Sequence, residues 1–297
     1  MALIATADLL ASAAAENVAV LAFNVITLEH AEGIVEGAER GGVGVALQIS
    51  ENTVNFHGGQ LAPLVSACAH IAHASPVPVA IHLDHFQDPA LLEAAVSVAA
   101  PLGATSVMVD AAHLPYRDNV DRTRSFTETA HRAGLWVEAE LGEIGGKDGM
   151  ISAHAAGART NPQEAAAFVE QTGVDGLAVA VGSAHAMTTR DAVLDLDLIR
   201  ELAGTVSVPL VLHGSSGVDD DQLRAAVRAG IRKINVGTAL NIAYTGAVRD
   251  ALAADPSTTD PRKHLTAGRR AIADAVTDLC SVAATPPRVL AAGKSEK

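Results

Sequence analysis

The stretch VPVAIHLDH (Val77–His85) is a short apolar run that ends in titratable side chains. Two later runs end in a similar way, VGSAH (Val181–His185) and PLVLHG (Pro209–Gly214). In a closed parallel barrel the carboxyl ends of all strands meet on one rim, so histidines that are distant in sequence converge there. Three imidazoles with an open fourth position form a catalytic zinc site. The sequence therefore predicts a metal site on the rim of a barrel.

Strand-like runs recur along the chain, and most are near-continuous in Val, Ile and Leu instead of alternating with polar residues. Such runs are typical of parallel strands that are covered on both faces. Helix-like segments separate them, such as Thr27–Arg40, the segment that Asn161 caps, and Asp219–Ala229. Eight βα units favour an α/β fold, a (β/α)8 TIM barrel, with an open doubly wound sheet as the alternative. The predicted strands are Val18–Val25, Val43–Ser50, Val77–His85, Ser106–Asp110, Leu135–Leu141, Gly176–Gly182, Pro209–Gly214 and Lys233–Gly237.

The chain of 297 residues is long enough for one such barrel, and no shift in composition divides it. We therefore predict a single barrel domain over residues 1–285, with a C-terminal helical extension at His264–Val282 and a frayed tail at 286–297. The glycine-bearing segment Gly142–Arg159 follows the fifth strand, which makes it a candidate mobile lid over the active rim.

The charge and composition argue against several classes of partner. A net charge of −13 disfavours nucleic acid and anionic membranes, although a few local amides can still bind a phosphorylated substrate. We find no apolar run long enough to cross a membrane and no signal-peptide pattern. The two cysteines, Cys68 and Cys280, indicate small buried side chains and no disulfide framework, so we expect a reducing, cytoplasmic compartment.

Polar residues close several of the predicted strands. Asn24 closes the first, and the second ends at Gln48-Ile49-Ser50. The two-residue period of a strand puts His82 and Asp84 on one face, with His85 just past the strand end. Three titratable groups in four residues indicate a functional role for Asp84 or His85.

Carboxylates mark the fourth and fifth strands. Asp110 closes the fourth strand, and the fifth carries Glu138 and Glu140 two residues apart in an apolar run. Two buried carboxylates need a cation, basic side chains or water as partners. A metal ion at this rim would supply such a partner, and so would an arginine or lysine.

The loops after the seventh and eighth strands are small and rich in glycine and hydroxyl groups, GSSG (Gly214–Gly217) and VGT (Val236–Thr238). These loops are the usual phosphate site of this barrel, and here a helix follows the second of them. We leave a role for His113 near the rim open. The remaining histidines are expected on the surface or in the core: His30, His57, His70, His73, His131, His154 and His264.

Six motifs, in order and on the predicted strands, resemble the class II, zinc-dependent ketose-bisphosphate aldolases, which include the fructose- and tagatose-bisphosphate aldolases. The resemblance runs from about residue 4 to about residue 283. Each motif alone is weak, but their combination is specific. The motifs are AFN (22–24), HLDH (82–85), EAELG (138–142), GSAH (182–185), LHGSSG (212–217) and KINV (233–236).

The resemblance implies a dimeric or tetrameric barrel that reversibly cleaves a ketose 1,6-bisphosphate. The products would be dihydroxyacetone phosphate and an aldehyde such as glyceraldehyde 3-phosphate. Carried over by position, His85, His185 and His213 would bind the catalytic Zn²⁺, with Asp110 and Glu140 as possible alternative ligands. A monovalent cation, Na⁺ or K⁺, often lies near the phosphate in this family.

The resemblance also assigns roles around the substrate. Asp84 would be the acid/base at the C4 hydroxyl or aldehyde oxygen, Asn235 would contact the enediolate, and Asn24 would orient the site. Breaking a C3–C4 bond leaves negative charge beside a carbonyl, and a Lewis-acidic zinc ion can take up that charge. The residues that would hold the ketone's phosphate are Gly214, Ser216, Asn235, Thr238 and the residue at position 186, Ala186.

The chain departs from the family pattern at several positions. Ala186 stands where relatives usually have glycine, and Ala111-Ala112 stands where they often have Gly-Ser. The lid lacks the clear glutamate that moves the proton on the ketone carbon, so Asp148 or Glu143 would have to replace it. No arginine for a second phosphate is evident, so a substrate with one phosphate stays open beside fructose bisphosphate, tagatose bisphosphate and a deoxy-ketogluconate phosphate.

Other mechanisms and functions stay open at this stage. Lys147 and Lys233 are the lysines of the barrel body, and neither is predicted to lie buried in mid-strand, which disfavours a Schiff-base aldolase. A metal-dependent hydrolase on the same barrel would use zinc-bound water with Asp84 as base. The altered glycine position and lid leave a non-catalytic sugar-phosphate binding protein as the other alternative.

Overall fold

A computed structural model describes residues 3–142, 159–185 and 187–284. Within these residues the strands form one closed barrel in which every neighbouring pair is parallel, β1 pairing with β8. The predicted (β/α)8 TIM barrel is therefore confirmed, and the open-sheet alternative is wrong. The strands are β1 Val20–Asn24, β2 Val45–Ser50, β3 Val79–Phe86, β4 Ser106–Val109, β5 Trp136–Leu141, β6 Gly176–Val179, β7 Leu210–Leu212 and β8 Ile231–Val236.

The strand ends differ from the predicted ones by up to three residues. β6 ends at Val179, three residues before the predicted end, and β8 begins at Ile231, two residues before the predicted start. β3 runs on to Phe86, so His85 lies inside the strand and not just past it. Apolar composition alone does not distinguish a strand residue from a buried loop residue, which explains the shifts at β6 and β8.

Helices surround the barrel, and the C-terminal helix α11 is the predicted extension. Asn161 caps α7, as the sequence predicted, and Asp219 caps α9; the side chain of each accepts a backbone N–H. In the described residues the helices are α1 Thr6–Ala15, α2 Leu28–Gly41, α3 Glu51–Phe56, α4 Ala62–Ala74, α5 Pro89–Ala94, α6 Tyr116–Arg132, α7 Pro162–Thr172, α8 Leu196–Thr205, α9 Asp220–Ala229, α10 Thr238–Ala254 and α11 Pro261–Ala283.

The amino-terminal end of the barrel is closed by α1. Leu9 and Leu10 form an apolar cluster with residues of the barrel interior, including Val20 and Trp136. The hydroxyl of Thr6 adds a hydrogen bond of 2.7 Å to Ser106. Because this end is plugged, ligands have access to the barrel from the rim formed by the carboxyl ends of the strands.

No helix among the described residues combines the length and the apolar character that crossing a membrane requires. The predicted tail at 286–297 and most of the predicted lid lie outside the described residues.

Candidate active site

The carboxyl-terminal rim of the barrel opens into a cavity of about 430 Å³. Its walls come from the ends of β1, β2 and β3 on one side and from the loops after β6, β7 and β8 on the other. Asp84, His85 and His185 line it, together with Asn24 and Asn235. The rim position predicted from the strand ends is therefore where the cavity lies.

Barrel closure brings the three histidines together. The ring centroids of His85 and His213 are 4.7 Å apart, those of His85 and His185 5.2 Å, and those of His185 and His213 5.6 Å. One ligand atom from each ring and one carboxylate oxygen of Glu140 all lie within 4.8 Å of one another. Of the two carboxylates named as alternative ligands, Glu140 belongs to this group.

His85 reaches the group because the backbone turns sharply at this position. Its φ is 53°, a left-handed conformation that few non-glycine residues adopt, and the register of β3 against β4 shifts between Leu83 and Phe86. In regular alternation the side chains of Asp84 and His85 would lie on opposite faces of the strand. The irregularity lets both face the cavity. A conformation of this kind costs about 1–2 kcal/mol, and such strain is concentrated at functional sites.

Two loops hold His185 beside His213. Gly214 has a φ of 66°, and a Cβ on it would lie 2.4 Å from the carbonyl oxygen of Ala184. The loops therefore approach more closely than any side chain at position 214 allows. The hydroxyl of Ser183 donates a 2.6 Å hydrogen bond to the carbonyl oxygen of His213 and ties the same two loops together.

Two of the histidine rings, His85 and His213, are each held in orientation by a carboxylate on the side away from the metal group. Nδ1 of His85 lies 2.9 Å from Oδ2 of Asp110, and Nε2 of His213 lies 2.9 Å from Oε1 of Glu138. The opposite nitrogens, Nε2 of His85 and Nδ1 of His213, are then the ones that face the group. This arrangement is common behind metal-binding histidines, where the carboxylate sets the tautomer and strengthens the ligand. Asp110 therefore lies behind His85.

The charges of this group are strongly coupled. Burial lowers the pKa of His213, but hydrogen bonds to Glu138 and Glu140 and their charges outweigh burial and raise that pKa to about 9. Burial would raise the pKa of Glu138, but the charge of Lys233 and the hydrogen bond from His213 hold it well below its usual range. A positive charge on or beside His213, whether a proton or a metal ion, is therefore strongly favoured.

The donor set fits a zinc ion. Three imidazoles and one carboxylate are ligands that Zn²⁺ takes in proteins, at distances of about 2.0–2.2 Å. Imidazole donors disfavour Mg²⁺ and Ca²⁺, which prefer oxygen ligands. The carboxylates behind His85 and His213 complete the surroundings expected of such a site.

The position of Lys233 contradicts the prediction from the sequence, which placed this residue outside the buried part of a strand. It is the third residue of β8 and is 1% exposed, with Nζ 2.7 Å from both Oε2 of Glu138 and Oδ1 of Asn235. An amine held this way is engaged by two acceptors, and Lys233 does not line the cavity. The pairing of Lys233 and its position outside the cavity lining therefore disfavour a Schiff base on it, although its burial alone would favour one.

A chain of hydrogen bonds connects the polar residues around the cavity. Nδ2 of Asn235 donates to Oδ1 of Asp84 at 3.3 Å, and Nε2 of Gln48 donates to Oδ1 of Asn24 at 2.7 Å. Lys233 lies between the two pairs, because its Nζ contacts Asn235 and is 3.5 Å from Oε1 of Gln48. Asp84, Asn235 and Asn24, the three residues predicted to be catalytic, thus belong to one network.

The predicted phosphate residues lie together on the side of the cavity that is formed by the loops after β7 and β8. Gly214, Ser216 and Thr238 line the cavity, and the hydroxyl of Ser216 accepts a 3.1 Å hydrogen bond from the amide of Ala239. This contact joins the loop after β7 to the first turn of α10. Ala186, Asp148, Glu143 and Lys147 lie outside the described residues.

The other described histidines lie outside the candidate metal group. His82 is fully buried, and burial together with the charge of Lys233 lowers its pKa to about 3. His30 is also buried, which lowers its pKa to about 4, and it stacks on Tyr244. Nε2 of His57 lies 2.7 Å from a backbone carbonyl oxygen. His113 does not line the cavity, and His154 lies outside the described residues.

Comparison with known proteins agrees with this geometry. The sequence profile of the family described as Fructose-bisphosphate aldolase class-II matches residues 4–285. The chain belongs to this family. It is therefore an enzyme of the aldolase type, as the motifs of the sequence predicted.

Solved structures of other aldolases share the fold. The YdjI aldolase from Escherichia coli K12 is 27% identical and matches 95% of this chain and 98% of its own, with a TM-score of 0.79. A candidate fructose-1,6-bisphosphate aldolase from Coccidioides immitis is 28% identical and matches 95% and 96%, with a TM-score of 0.84. The fructose-bisphosphate aldolase from Campylobacter jejuni, 20% identical over 94% and 93% at a TM-score of 0.77, shows the shared fold alone.

Two residues that line or support the cavity of this aldolase, Glu51 and Lys233, were not predicted from the sequence to do so. Lys233 could have been placed by the same two-residue period that grouped His82 with Asp84, because Asn235 follows it by two. Glu51 directly follows Ser50 at the end of β2, a rim position that lines the cavity. No local pattern indicates its hydrogen-bond partners, which come from the segment after β3.

Proposed function

We propose that this chain is a zinc-dependent aldolase that reversibly cleaves a ketose phosphate to dihydroxyacetone phosphate and an aldehyde. The observation that carries the proposal is the group of His85, His185, His213 and Glu140 beside the buried Asp84. Bound Zn²⁺ supplies a Lewis acid that polarises the ketone carbonyl and stabilises the negative charge left when the C3–C4 bond breaks.

Asp84 is the proposed acid/base. Its Oδ1 lies 3.9 Å from Nε2 of His85, on the side of that ring that faces the metal group. During cleavage its carboxylate takes the proton of the C4 hydroxyl, and in the addition direction it returns that proton to the aldehyde oxygen. Nδ2 of Asn235 donates to the same oxygen and holds the carboxyl group in place.

Asn235 and Lys233 are proposed to orient the ketone half of the substrate. Lys233 fixes the oxygen of the Asn235 side chain, so the amide nitrogen is directed toward Asp84 and the cavity. Asn24, held by Gln48, lines the same cavity. These contacts preorganise polar groups before the substrate arrives, which lowers the cost of reorganisation in the transition state.

The phosphate of the ketone half is proposed to bind on the side of the cavity that is formed by the loops after β7 and β8. Gly214, Ser216 and Thr238 provide small side chains, hydroxyl groups and the start of the 17-residue helix α10. Helix N-termini favour anions because their first amides are free of helix partners and the helix dipole is positive there. Ala186 completes the predicted set but lies outside the described residues.

Removal and restoration of the metal test the proposal. Treatment with EDTA is expected to abolish carbon–carbon bond formation between dihydroxyacetone phosphate and a panel of aldehydes, and added zinc or cobalt is expected to restore it. Activity that persists in chelator, together with a lysine adduct trapped by borohydride, would refute the zinc assignment. Ligand binding without turnover under all conditions would favour the sugar-phosphate binding protein, and ester or amide cleavage would favour the hydrolase.

Two further features stay predictions of the family resemblance. A monovalent cation, Na⁺ or K⁺, is expected beside the phosphate, and a homodimer or homotetramer is expected in solution. The apolar side chains that the described part of the chain leaves exposed include Phe56, Val193 and Ile242, at 69%, 65% and 53% exposure. Such side chains suit an interface between subunits.

A further inference from the structure

The side chains of His85 and Asp110 meet where the regular pairing of β3 and β4 is interrupted. The register of the two strands shifts between Leu83 and Phe86, His85 has a φ of 53°, and Asp110 is the first residue after β4. A backbone hydrogen bond of 3.0 Å continues past the shift, from the amide of Asp110 to the carbonyl oxygen of Phe86. This pairing keeps the two segments side by side, but it leaves the side-chain torsion angles of Asp110 to be set by other contacts.

Gln87 makes a side-chain contact that orients this carboxylate. Its Nε2 donates to Oδ2 of Asp110 at 3.2 Å, and the same oxygen lies 2.9 Å from Nδ1 of His85. An ionised carboxylate only accepts hydrogen bonds, so the nitrogen of the Gln87 amide is the atom that faces it. The other oxygen of Asp110, Oδ1, accepts from the amide of Ala112 at 3.4 Å. Donors therefore hold both carboxylate oxygens, with Oδ2 directed at the ring of His85.

The backbone of Gln87 is itself held on both sides. Its amide N–H donates to Oε2 of Glu51 at 2.7 Å, and its carbonyl oxygen accepts from the guanidinium group of Arg122. Glu51 begins α3 and Arg122 lies in α6, so two separate elements fix the position of Gln87. A side chain that starts from a fixed backbone loses little freedom when it makes a further contact, so the donor to Asp110 is preorganised.

We propose that Gln87 is a positioning residue of the zinc site, which holds Asp110 behind His85 and thereby raises the affinity for zinc. The inference rests on the proposed function, which assigns His85 to zinc. A partner behind a metal-binding histidine fixes the tautomer and the orientation of its ring. With Nδ1 of His85 paired to Asp110, Nε2 presents its lone pair to the metal group, and Gln87 keeps this pairing in place. A neutral amide suits the task because it adds no charge beside the metal, and it is not among the usual zinc ligands.

Removal of the amide tests this inference. Gln87→Met keeps the approximate length of the side chain and removes its donor, and zinc binding to the metal-free protein is measured by competition with a chromophoric chelator. The Kd for zinc is expected to rise by about 3–10-fold, less than on loss of Asp110 itself, because Gln87 lies one contact further from the ion. Gln60→Met is the control, because Gln60 is exposed and does not line the cavity. It should leave the Kd unchanged.

A double-mutant cycle tests whether Gln87 acts through Asp110. If it does, adding Gln87→Met to Asp110→Ala should change the Kd for zinc by less than about twofold, because the contact is already lost. Gln87→Asn keeps the amide but is one methylene too short for the contact with Asp110, so its Kd should rise as in Gln87→Met. This second variant keeps a neutral polar side chain at position 87, and it therefore tests the inference even where methionine disturbs the fold.

The outcomes separate this inference from the proposed function. If the wild type binds zinc and both Gln87 variants bind it equally well, the inference is wrong and the proposed function stands. A lower Tm of the metal-free variants with an unchanged Kd for zinc would make Gln87 a structural residue only. Additive effects of Gln87→Met and Asp110→Ala would show that Gln87 does not act through Asp110, which also overturns the inference. A wild type that binds no zinc would overturn the proposed function and this inference with it.

Discussion

Asp84 and Asp110 contact different nitrogens of the same imidazole. Asp110 lies 2.9 Å from Nδ1 of His85, on the side away from the metal group, whereas Asp84 lies 3.9 Å from Nε2 and lines the cavity. The first position suits a group that orients a ligand, and the second suits one that moves a proton on the substrate. Loss of the carboxylate should therefore affect zinc binding at the first position and turnover at the second.

We expect Asp84→Ala to reduce turnover by at least about 100-fold, the usual effect of losing a general acid or base, while zinc content stays near that of the wild type. Asp110→Ala is the matched comparison. It should weaken zinc binding by about 10–100-fold, because the orienting partner of His85 is lost. Turnover and zinc content of both variants, measured on the same preparations, check the prediction. Normal turnover in Asp84→Ala would make Asp84 structural only.

The sequence predicts those site residues whose position is set by a strand end. His213 directly follows β7, and Asn24 and Asp84 lie within the last residues of β1 and β3. The two-residue period with Asn235 predicts the face of β8 on which Lys233 lies, but it does not predict the burial of Lys233, because that burial depends on Glu138 of β5, which approaches it across the barrel. A lysine within an apolar run predicts exposure unless a partner is known, and this partner is 95 residues away in sequence.

At the level of elements, the number and order of the strands are predictable because each is a separate apolar run between turn signals. Their ends are less predictable. The residues from Ala180 to Ala184 are buried and small, but Gly182 has a φ of 120°, and a Cβ there would lie 2.4 Å from the carbonyl oxygen of Val193. The segment that carries Val193 packs closely against the chain at Gly182, just after β6, and the local sequence does not reveal this contact.

The contact between α2 and α11 is unusually close. A Cβ on Gly33 would lie 2.7 Å from the carbonyl oxygen of Arg269, and one on Gly37 would lie 2.5 Å from that of Ala273. The hydroxyl of Thr277 also donates to the carbonyl oxygen of Gly37 at 3.2 Å. These two glycines let α11, the extension beyond the last βα unit, pack directly on the barrel's outer layer.

We expect Gly37→Ala to destabilise the protein by about 1–3 kcal/mol, because the added methyl group meets backbone that cannot move independently of its helix. Gly246→Ala is the control, since Gly246 lies in the interior of α10 with open space around it. That substitution should be neutral or stabilise by up to about 1 kcal/mol, because alanine favours the helix. Thermal unfolding of both variants measures the difference. Equal changes in the two would contradict the close packing of α2 and α11.

The candidate metal group joins distant parts of the chain. His85 lies in β3, Glu140 in β5, His185 in the loop after β6, and His213 directly after β7. The sequence predicts this convergence once a closed parallel barrel is assumed, because every strand then delivers its end to the same rim. It does not predict which of Asp110 and Glu140 joins the group, since both follow from strand ends on the same rim.

A metal bound by four separate segments should stabilise the folded barrel as a whole. Zinc that binds the folded state but not the unfolded chain adds about 1.4 kcal/mol for each tenfold rise in free zinc above its Kd, so the Tm should rise by a few degrees per decade. Magnesium should have no such effect, because this donor set is rich in imidazole. His185→Ala should remove the dependence on zinc, whereas His70→Ala, which changes an exposed histidine of α4, should keep it. A Tm that is independent of zinc in the wild type would contradict a shared metal site.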